Sequence, residues 1–462
     1  MTVPRIAVIG GGITGLAAAW ELSSNPGVEV VVFEREGRWG GKIKTTPFAG
    51  RPAVDEAADA FLARVPWGIQ LARELGLEDS LTSPATGSAF VAFGGRLHPI
   101  PSGLMLGVPK GMSGLVRSDL LSWRGKARAG LDVVLPRRST QHDSLGRTIR
   151  DRFGAEVAER LVDPLVGGIN AGDADDLSLR AAVPQLVEVA TTKRSMLLGL
   201  RHAPAPAHGP IFYAPTAGIG ALVDTLVDAL KHRNVDMRIA ADIGVIEPAG
   251  GSGGGYRIGD EVFDGVIVAT PAFAAAELLK AIAPDVAEPL GSIRYAGVVM
   301  ATFAVASSDL RKVAIGSGYL VPKPVQGQVT AASFASRKWS HWQQTDGASA
   351  GTELLRVSLG RHGNDVPMTM DDESIVATAV EEMSGHLGTS ITPVAERISR
   401  WDRAFPQYQP HHFDLVGTIE SKVAAVPGLR VTGAAYRGIG IPACIRQGRD
   451  SAAALLRELS AP

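Results

Sequence analysis

Apolar residues follow two patterns along the chain. Residues 5–9, 28–33, 266–269 and 429–432 are short, nearly continuous apolar runs, as expected of buried strands. Residues 295–306, 318–321, 329–334 and 354–359 are longer strand runs separated by turns, which suggests an antiparallel sheet. Residues 90–93 and 96–100 flank Gly94-Gly95 and read as a hairpin. From about 102 to 202 the period changes to that of helices, as at 144–153 and 156–161. Other helices are expected at 16–22, 67–75, 223–230, 374–387 and 445–459, and other strands at 237–246 and 256–258. The segment 203–210 reads as a Pro- and His-containing loop, and 250–255 as a glycine-rich hairpin tip.

The first strand runs straight into Gly10-Gly11-Gly12-Ile13-Thr14-Gly15, a helix follows, and a second strand ends in Glu34. Strand, Gly-x-Gly-x-x-Gly, helix, strand and acid in that order form a dinucleotide-binding unit. Gly10 permits the tight turn, Gly12 lets backbone approach a pyrophosphate, and Gly15 lets helix and sheet pack closely. The helix N-terminus supplies amide donors, and Glu34 accepts from ribose hydroxyls while repelling a 2′-phosphate. Beyond it lie Arg35 and then Arg38-Trp39-Gly40-Gly41-Lys42, a basic segment with a glycine doublet. This segment resembles one that follows the fingerprint in flavoproteins of the amine-oxidase type, which favours FAD over NAD. No second fingerprint is evident, so electrons are expected to leave the flavin to oxygen or another acceptor.

The expected fold is α/β. A discontinuous Rossmann-like FAD-binding domain would comprise 1–85, 214–285 and 428–462. An antiparallel-sheet substrate-binding domain would comprise 86–99, 206–213 and 286–427. A helical insertion, 100–205, is a candidate membrane- or partner-facing element.

The chain has 462 residues, with 46 Lys and Arg against 47 Asp and Glu. That balance speaks against a nucleic-acid binder. The single cysteine, Cys444, excludes an intrachain disulfide and a thiolate zinc cage, and fits a cytoplasmic location. The ten histidines show no metal-ligand spacing, and His411-His412 reads as a loop pair. No metal is expected. The N-terminal apolar stretch resembles a signal peptide only superficially, since three glycines interrupt it.

The C-terminal run Gly433-Ala434-Ala435-Tyr436-Arg437-Gly438-Ile439-Gly440-Ile441-Pro442-Ala443-Cys444-Ile445 resembles the flavin segment of the protoporphyrinogen/coproporphyrinogen oxidases, especially those of Gram-positive and actinobacterial type. Asp59-Ala60-Phe61-Leu62, Arg337-Lys338-Trp339, Arg400-Trp401 and Pro406-Gln407-Tyr408 match the same family. The resemblance covers essentially the whole chain and implies an amine-oxidase-like flavoprotein. Such an enzyme oxidises coproporphyrinogen III to coproporphyrin III in haem biosynthesis, with O2 as acceptor and H2O2 as product. Protoporphyrinogen IX is the alternative substrate. A flavin amine oxidase, a carotenoid desaturase and a non-catalytic flavin-binding module are the other readings.

By the same resemblance, FAD would touch Gly10, Gly11, Gly12, Ile13, Thr14, Gly15, Glu34, Arg35, Lys42, Ala57, Ala58, Asp59, Ala60, the backbone near Ile243, Trp401, Ile439, Gly440 and Ile441. Trp401 also reads as plain core packing. No protein acid or base is assigned to catalysis, because the flavin carries the oxidation. Two departures stand out. His411 replaces a glycine, and Ser88-Ala89-Phe90 stands where some relatives place a substrate-binding Arg. A carboxylate partner must then come from elsewhere. Arg64 is one candidate, equally readable as a surface-loop side chain; Lys338 is another that could sit near the flavin, although a solvent-facing lysine is the safer assumption. From Lys110 to Arg152, ten Lys and Arg face four Asp, which suggests substrate steering, an anionic membrane surface, a haem-pathway partner such as ferrochelatase, or simply solvated helix faces.

Overall fold

The computed structural model describes residues 3–201, 209–250, 254–343 and 350–460. Most of the loop expected at 203–210, the middle of the glycine tip at 250–255 and the start of the segment 206–213 lie outside the described residues.

Five short strands form a parallel sheet in the order Asp236–Arg238, Glu29–Phe33, Arg5–Ile9, Gly265–Val268, Leu429–Val431. Both faces are covered, which explains why these runs are continuously apolar. Ile6, Val8, Val30, Val32 and Ile267 pack against helices Ile13–Leu22, Gly220–His232 and Ile441–Leu459. Ala7, Val31, Val266 and Val268 point the other way, onto helices Ala272–Leu279, Pro284–Gly291 and His412–Ala424.

A seven-stranded sheet has the order Pro393–Pro406, Tyr295–Ala306, Thr352–Leu359, Val329–Phe334, Gly318–Leu320, Phe90–Phe93, Arg96–Pro99. It is not purely antiparallel, because Gly318–Leu320 runs parallel to Phe90–Phe93. Alternation divides its faces. Val299, Ala301, Phe303, Leu355 and Val357 bury against Ile375, Ala379 and Met383 of helix Asp372–Leu387. Met300, Ala331, Ser333, Arg356 and Ser358 lie on the opposite face and line a cavity.

Several expectations need correction. The strand expected over 237–246 is only Asp236–Arg238. Ala240 takes a left-handed φ of 51°, and the chain turns so that the Ala240 and Ala241 N–H groups donate to the carbonyls of Glu36 and Glu34. The helix expected at 156–161 starts at Ala155–Val157 and widens into a π-helix over Ala158–Gly167. Pro164 within it has no N–H to continue the regular ladder. His411-His412 is not a loop pair. His412 is the buried first residue of helix His412–Ala424 and stacks on Tyr408 at 4.0 Å between centroids. The 14-residue strand Pro393–Pro406 has no counterpart in the sequence reading. It is an edge strand exposing Val394, Glu396, Arg400, Asp402 and Arg403, so its apolar period is weak.

The first and last helices touch through their backbones. A Cβ on Gly448 would lie 2.2 Å from the Thr14 carbonyl oxygen, and one on Gly15 would lie 1.9 Å from that of Gly10. Gly448→Ala is therefore expected to destabilise the fold by about 1–3 kcal/mol, the scale of core overpacking, read as a lower thermal midpoint. An unchanged midpoint would mean that the helices separate freely.

Candidate active site

The start of helix Ile13–Leu22 packs against the N-terminal half of helix Ile441–Leu459, where Cys444 and Gly448 face Thr14. Helix Ile13–Leu22 begins directly after Gly12, and helix Ile441–Leu459 directly after Gly440. Neither has a side-chain cap or an acidic residue in its first turn, so the amides there are available to an anionic ligand. Gly10 has φ 111°, and a Cβ there would lie 2.9 Å from the Ala269 carbonyl oxygen. A Cβ on Gly12 would meet nothing within 4 Å, so open space lies above that turn. The Glu34 carboxylate is buried and accepts the Gly11 N–H at 2.7 Å and the Glu36 N–H at 2.8 Å. Two oxygens retain lone pairs for further donors such as ribose hydroxyls. Gly40 donates to the Gly11 carbonyl, which docks the glycine doublet on the fingerprint.

The remaining expected cofactor positions lie on several separate elements. Thr14 and Ile13 belong to the first helix, which Gly448 of the last helix abuts. The buried Cys444 thiol lies 3.7 Å from the Ile439 carbonyl oxygen, and burial pushes it up to about 11. Lys42 donates to the Ala404 carbonyl, and burial pushes its ammonium down to about 8. Ile243 is half-buried two residues after Ala241, the donor to the Glu34 carbonyl. Trp401 donates its indole N–H to the Glu56 carbonyl at 3.2 Å, immediately before Ala57. Arg35 is exposed and pairs only loosely with Glu36 at 3.4 Å.

Ala57, Ala58 and Asp59 open onto a cavity of about 350 Å³, within the range of small-molecule sites. Its floor is the sheet face bearing Met300, Ala331, Ser333 and Ser358. Ile100 and Leu165 add apolar wall. Asp59, Lys338 and Arg356 are its charged groups. Lys338 Nζ reaches both Asp59 oxygens at 2.9 Å, Trp339 Nε1 donates to Oδ2 at 3.1 Å, and Arg356 lies 3.3 Å from Oδ2. Burial alone would push the Asp59 carboxyl up. The charges of Lys338 and Arg356, with these hydrogen bonds, outweigh it and hold the group at about 2. Arg356 also donates to the Ala57 carbonyl, tying the 57–59 segment to the sheet. Lys338 thus belongs to the cavity, whereas Arg64 is exposed and does not line it. Ala60 is half-buried beside Asp59.

A family model described as flavin containing amine oxidoreductase matches residues 13–456. The chain belongs to this family. It is a flavoenzyme with an amine-oxidase-like α/β fold, and its cofactor is FAD. The two uncapped helix N-termini, the open space above Gly12 and the buried Glu34 carboxylate fit such a dinucleotide. The chain is similar to coproporphyrinogen III oxidase of Bacillus subtilis, with 31% identity over 96% of each chain. It is also similar to that of Mycobacterium leprae, with 32% identity over 100% of each. A solved Exiguobacterium structure, provisionally named a protoporphyrinogen oxidase, superposes with a TM-score of 0.87, at 26% identity and 100% coverage of both chains. Cyclohexylamine oxidase from Brevibacterium oxydans shares the fold, with a TM-score of 0.69 at 15% identity and coverage of 99% of this chain and 100% of that one.

The sequence reading missed Arg356. Its signal was a lone Arg at a cavity-facing position of the apolar run 352–359, where a charge is buried only with a partner. It also missed Asp55. Thr45 Oγ1 and the Ile219 N–H donate to Asp55 Oδ1, whereas Oδ2 is buried with no hydrogen-bond partner in the protein. Burial pushes this carboxyl up to about 6, against those hydrogen bonds and the charge of Arg356. Among the described residues, no group of three or more His, Cys, Asp or Glu is placed to hold a metal ion, and no helix is long and apolar enough to cross a membrane.

The Asp55 value in the fold lies above its unfolded value. Its stabilising contribution is therefore complete below about pH 4 and is lost as pH rises through about 6. Asp55→Asn keeps an acceptor for Thr45 and Ile219 but carries no charge. Its thermal midpoint is expected to gain on the wild type progressively from pH 4 to pH 7. A gap that does not change with pH would exclude the buried charge as the cause.

Proposed function

We propose that this flavoenzyme oxidises coproporphyrinogen III to coproporphyrin III in haem biosynthesis, consuming three O2 and releasing three H2O2 per macrocycle. The observation that carries the reading is the cavity beside residues 57–59. It is apolar, with a floor of Ala and Ser side chains and one charged cluster, in a chain matching coproporphyrinogen III oxidases along its whole length. A broad, largely apolar macrocycle with carboxylate arms calls for such a lining.

FAD, when bound, supplies the two-electron acceptor for each dehydrogenation. Gly10 to Gly15 and the N-termini of the first and last helices would hold its phosphates, and Glu34 would accept from its ribose. Lys42, Ala57 to Ala60, Ile243, Trp401, Ile439 to Ile441 and Arg35 would supply the remaining contacts. Segments 1–85, 214–285 and 428–462 then form the FAD-binding domain, and 86–99, 206–213 and 286–427 the substrate-binding domain. The sheet face orients the macrocycle, and Ile100 and Leu165 exclude water.

The insertion 100–205 is the proposed contact face for an anionic membrane surface or a haem-pathway enzyme such as ferrochelatase. Trp123 and Val116 are 73% and 59% exposed there, beside the exposed Arg117 and Arg124. The proposed location is the cytoplasm, consistent with a single buried cysteine.

The test is growth of porphyrin fluorescence with FAD-loaded protein in air, with coproporphyrinogen III and protoporphyrinogen IX side by side against enzyme-free controls. Faster turnover of coproporphyrinogen III, with peroxide formed, is expected. Preference for protoporphyrinogen IX would transfer the reading to that substrate, the activity named for a rice chloroplast relative at 26% identity. Turnover of neither would refute both. In the same preparations Glu34→Ala is expected to weaken FAD retention about tenfold or more, read by flavin release on dilution, as loss of a charge-assisted contact implies.

A further inference from the structure

The charged cluster at the cavity is unbalanced. Ion pairs Lys44–Glu56, Lys338–Asp59 and Arg356–Asp59, with Arg397 set against Asp55 and Glu56, join four cations to three carboxylates. Lys338 and Arg356 both pair with the Asp59 carboxylate and line the cavity with it, and Arg356 also faces Asp55 behind the cavity wall. Lys338 spends two contacts on Asp59 and keeps a third N–H. Arg356 Nε has no hydrogen-bond partner in the protein, although the side chain is 4% exposed. The rest of the lining is apolar or hydroxylic, so nothing else there answers the surplus positive charge. Buried charge in apolar surroundings calls for a counter-charge. Ala89, in the segment before the Gly94-Gly95 hairpin, is another lining residue and contributes none.

We propose that Lys338 and Arg356, gathered around Asp59, anchor one carboxylate arm of the substrate. This rests on the porphyrinogen reading and adds to it a recognition point. Lys338 supplies a charged donor to the arm. Asp59 keeps both cations oriented by accepting from Lys338 and pairing with Arg356. Arg356 couples the anchor to the cofactor-side segment through the Ala57 carbonyl. The anchored arm fixes how far the macrocycle slides across the sheet face, and hence which bridging carbon is presented at residues 57–59.

The test compares coproporphyrinogen III with its tetramethyl ester, in one detergent-containing buffer, for the FAD-loaded wild type, Lys338→Met and Lys338→Arg. In the wild type the ester is expected to show a KM about tenfold or more above that of the acid, the scale of one charged contact. In Lys338→Met that ratio should collapse towards one, because the acid loses affinity while the ester does not. Lys338→Arg should restore most of it. A purely structural role for Lys338 would lower turnover of acid and ester alike and leave the ratio intact, which overturns the proposal. Binding of the product coproporphyrin III and its ester to the wild type, by flavin and porphyrin spectra, provides a measurement that depends on no variant. Equal affinities there also overturn it. If the wild type oxidises neither acid nor ester, the porphyrinogen reading itself falls. If it oxidises both with equal KM, only the anchor does.

Discussion

The backbone contact between the first and last helices is the constraint on which the rest depends. Thr14 and Gly448 meet with no side chain between them, and Gly15 lies equally close under Gly10. The approach sets the first turns of helix Ile441–Leu459 against the start of helix Ile13–Leu22, with Cys444 and Gly448 both facing Thr14. A methyl group on Gly448 would push the two helices apart, and one on Gly15 would distort the glycine turn at Gly10. The central strand Arg5–Ile9 has its neighbours Glu29–Phe33 and Gly265–Val268 on either side, which fixes where the turn emerges from the sheet.

The cavity follows from a second rule, strand alternation. One face of the seven-stranded sheet is spent on the core under helix Asp372–Leu387, which leaves the other free for small and charged side chains. Arg356 sits on that free face between Leu355 and Val357, both of which point into the core. The sheet thus gives a buried guanidinium to the cavity without disturbing the apolar side. Asp59 then does two jobs. It neutralises part of that charge, and it links the 57–59 segment to Lys338 and Trp339.

What the sequence made legible was local. Gly10 to Gly15 and Glu34 can be read directly, because the turn, the helix start and the acid are neighbours in one β-α-β unit. The continuous apolar strands were equally plain, since both faces are buried. Pro393–Pro406 was not, because an edge strand pairing on one side keeps polar residues at many positions. The fate of 237–246 depended on Ala240 entering a left-handed conformation to satisfy Glu34 and Glu36, a contact made at the far end of another strand. Lys338, more safely read as a solvent-facing lysine, became a cavity residue only through Asp59, 279 positions away. Charge partners at such separations leave no periodicity to read.

The sheet order also sets a timetable for synthesis. Strand Arg5–Ile9 is synthesised some 260 residues before its neighbour Gly265–Val268, and the edge strand Leu429–Val431 follows later still. Helix Ile441–Leu459, whose Gly448 abuts the first helix at Thr14, follows that strand in the chain. A nascent chain therefore holds the fingerprint turn long before the helix that packs against it at Gly448 has been made.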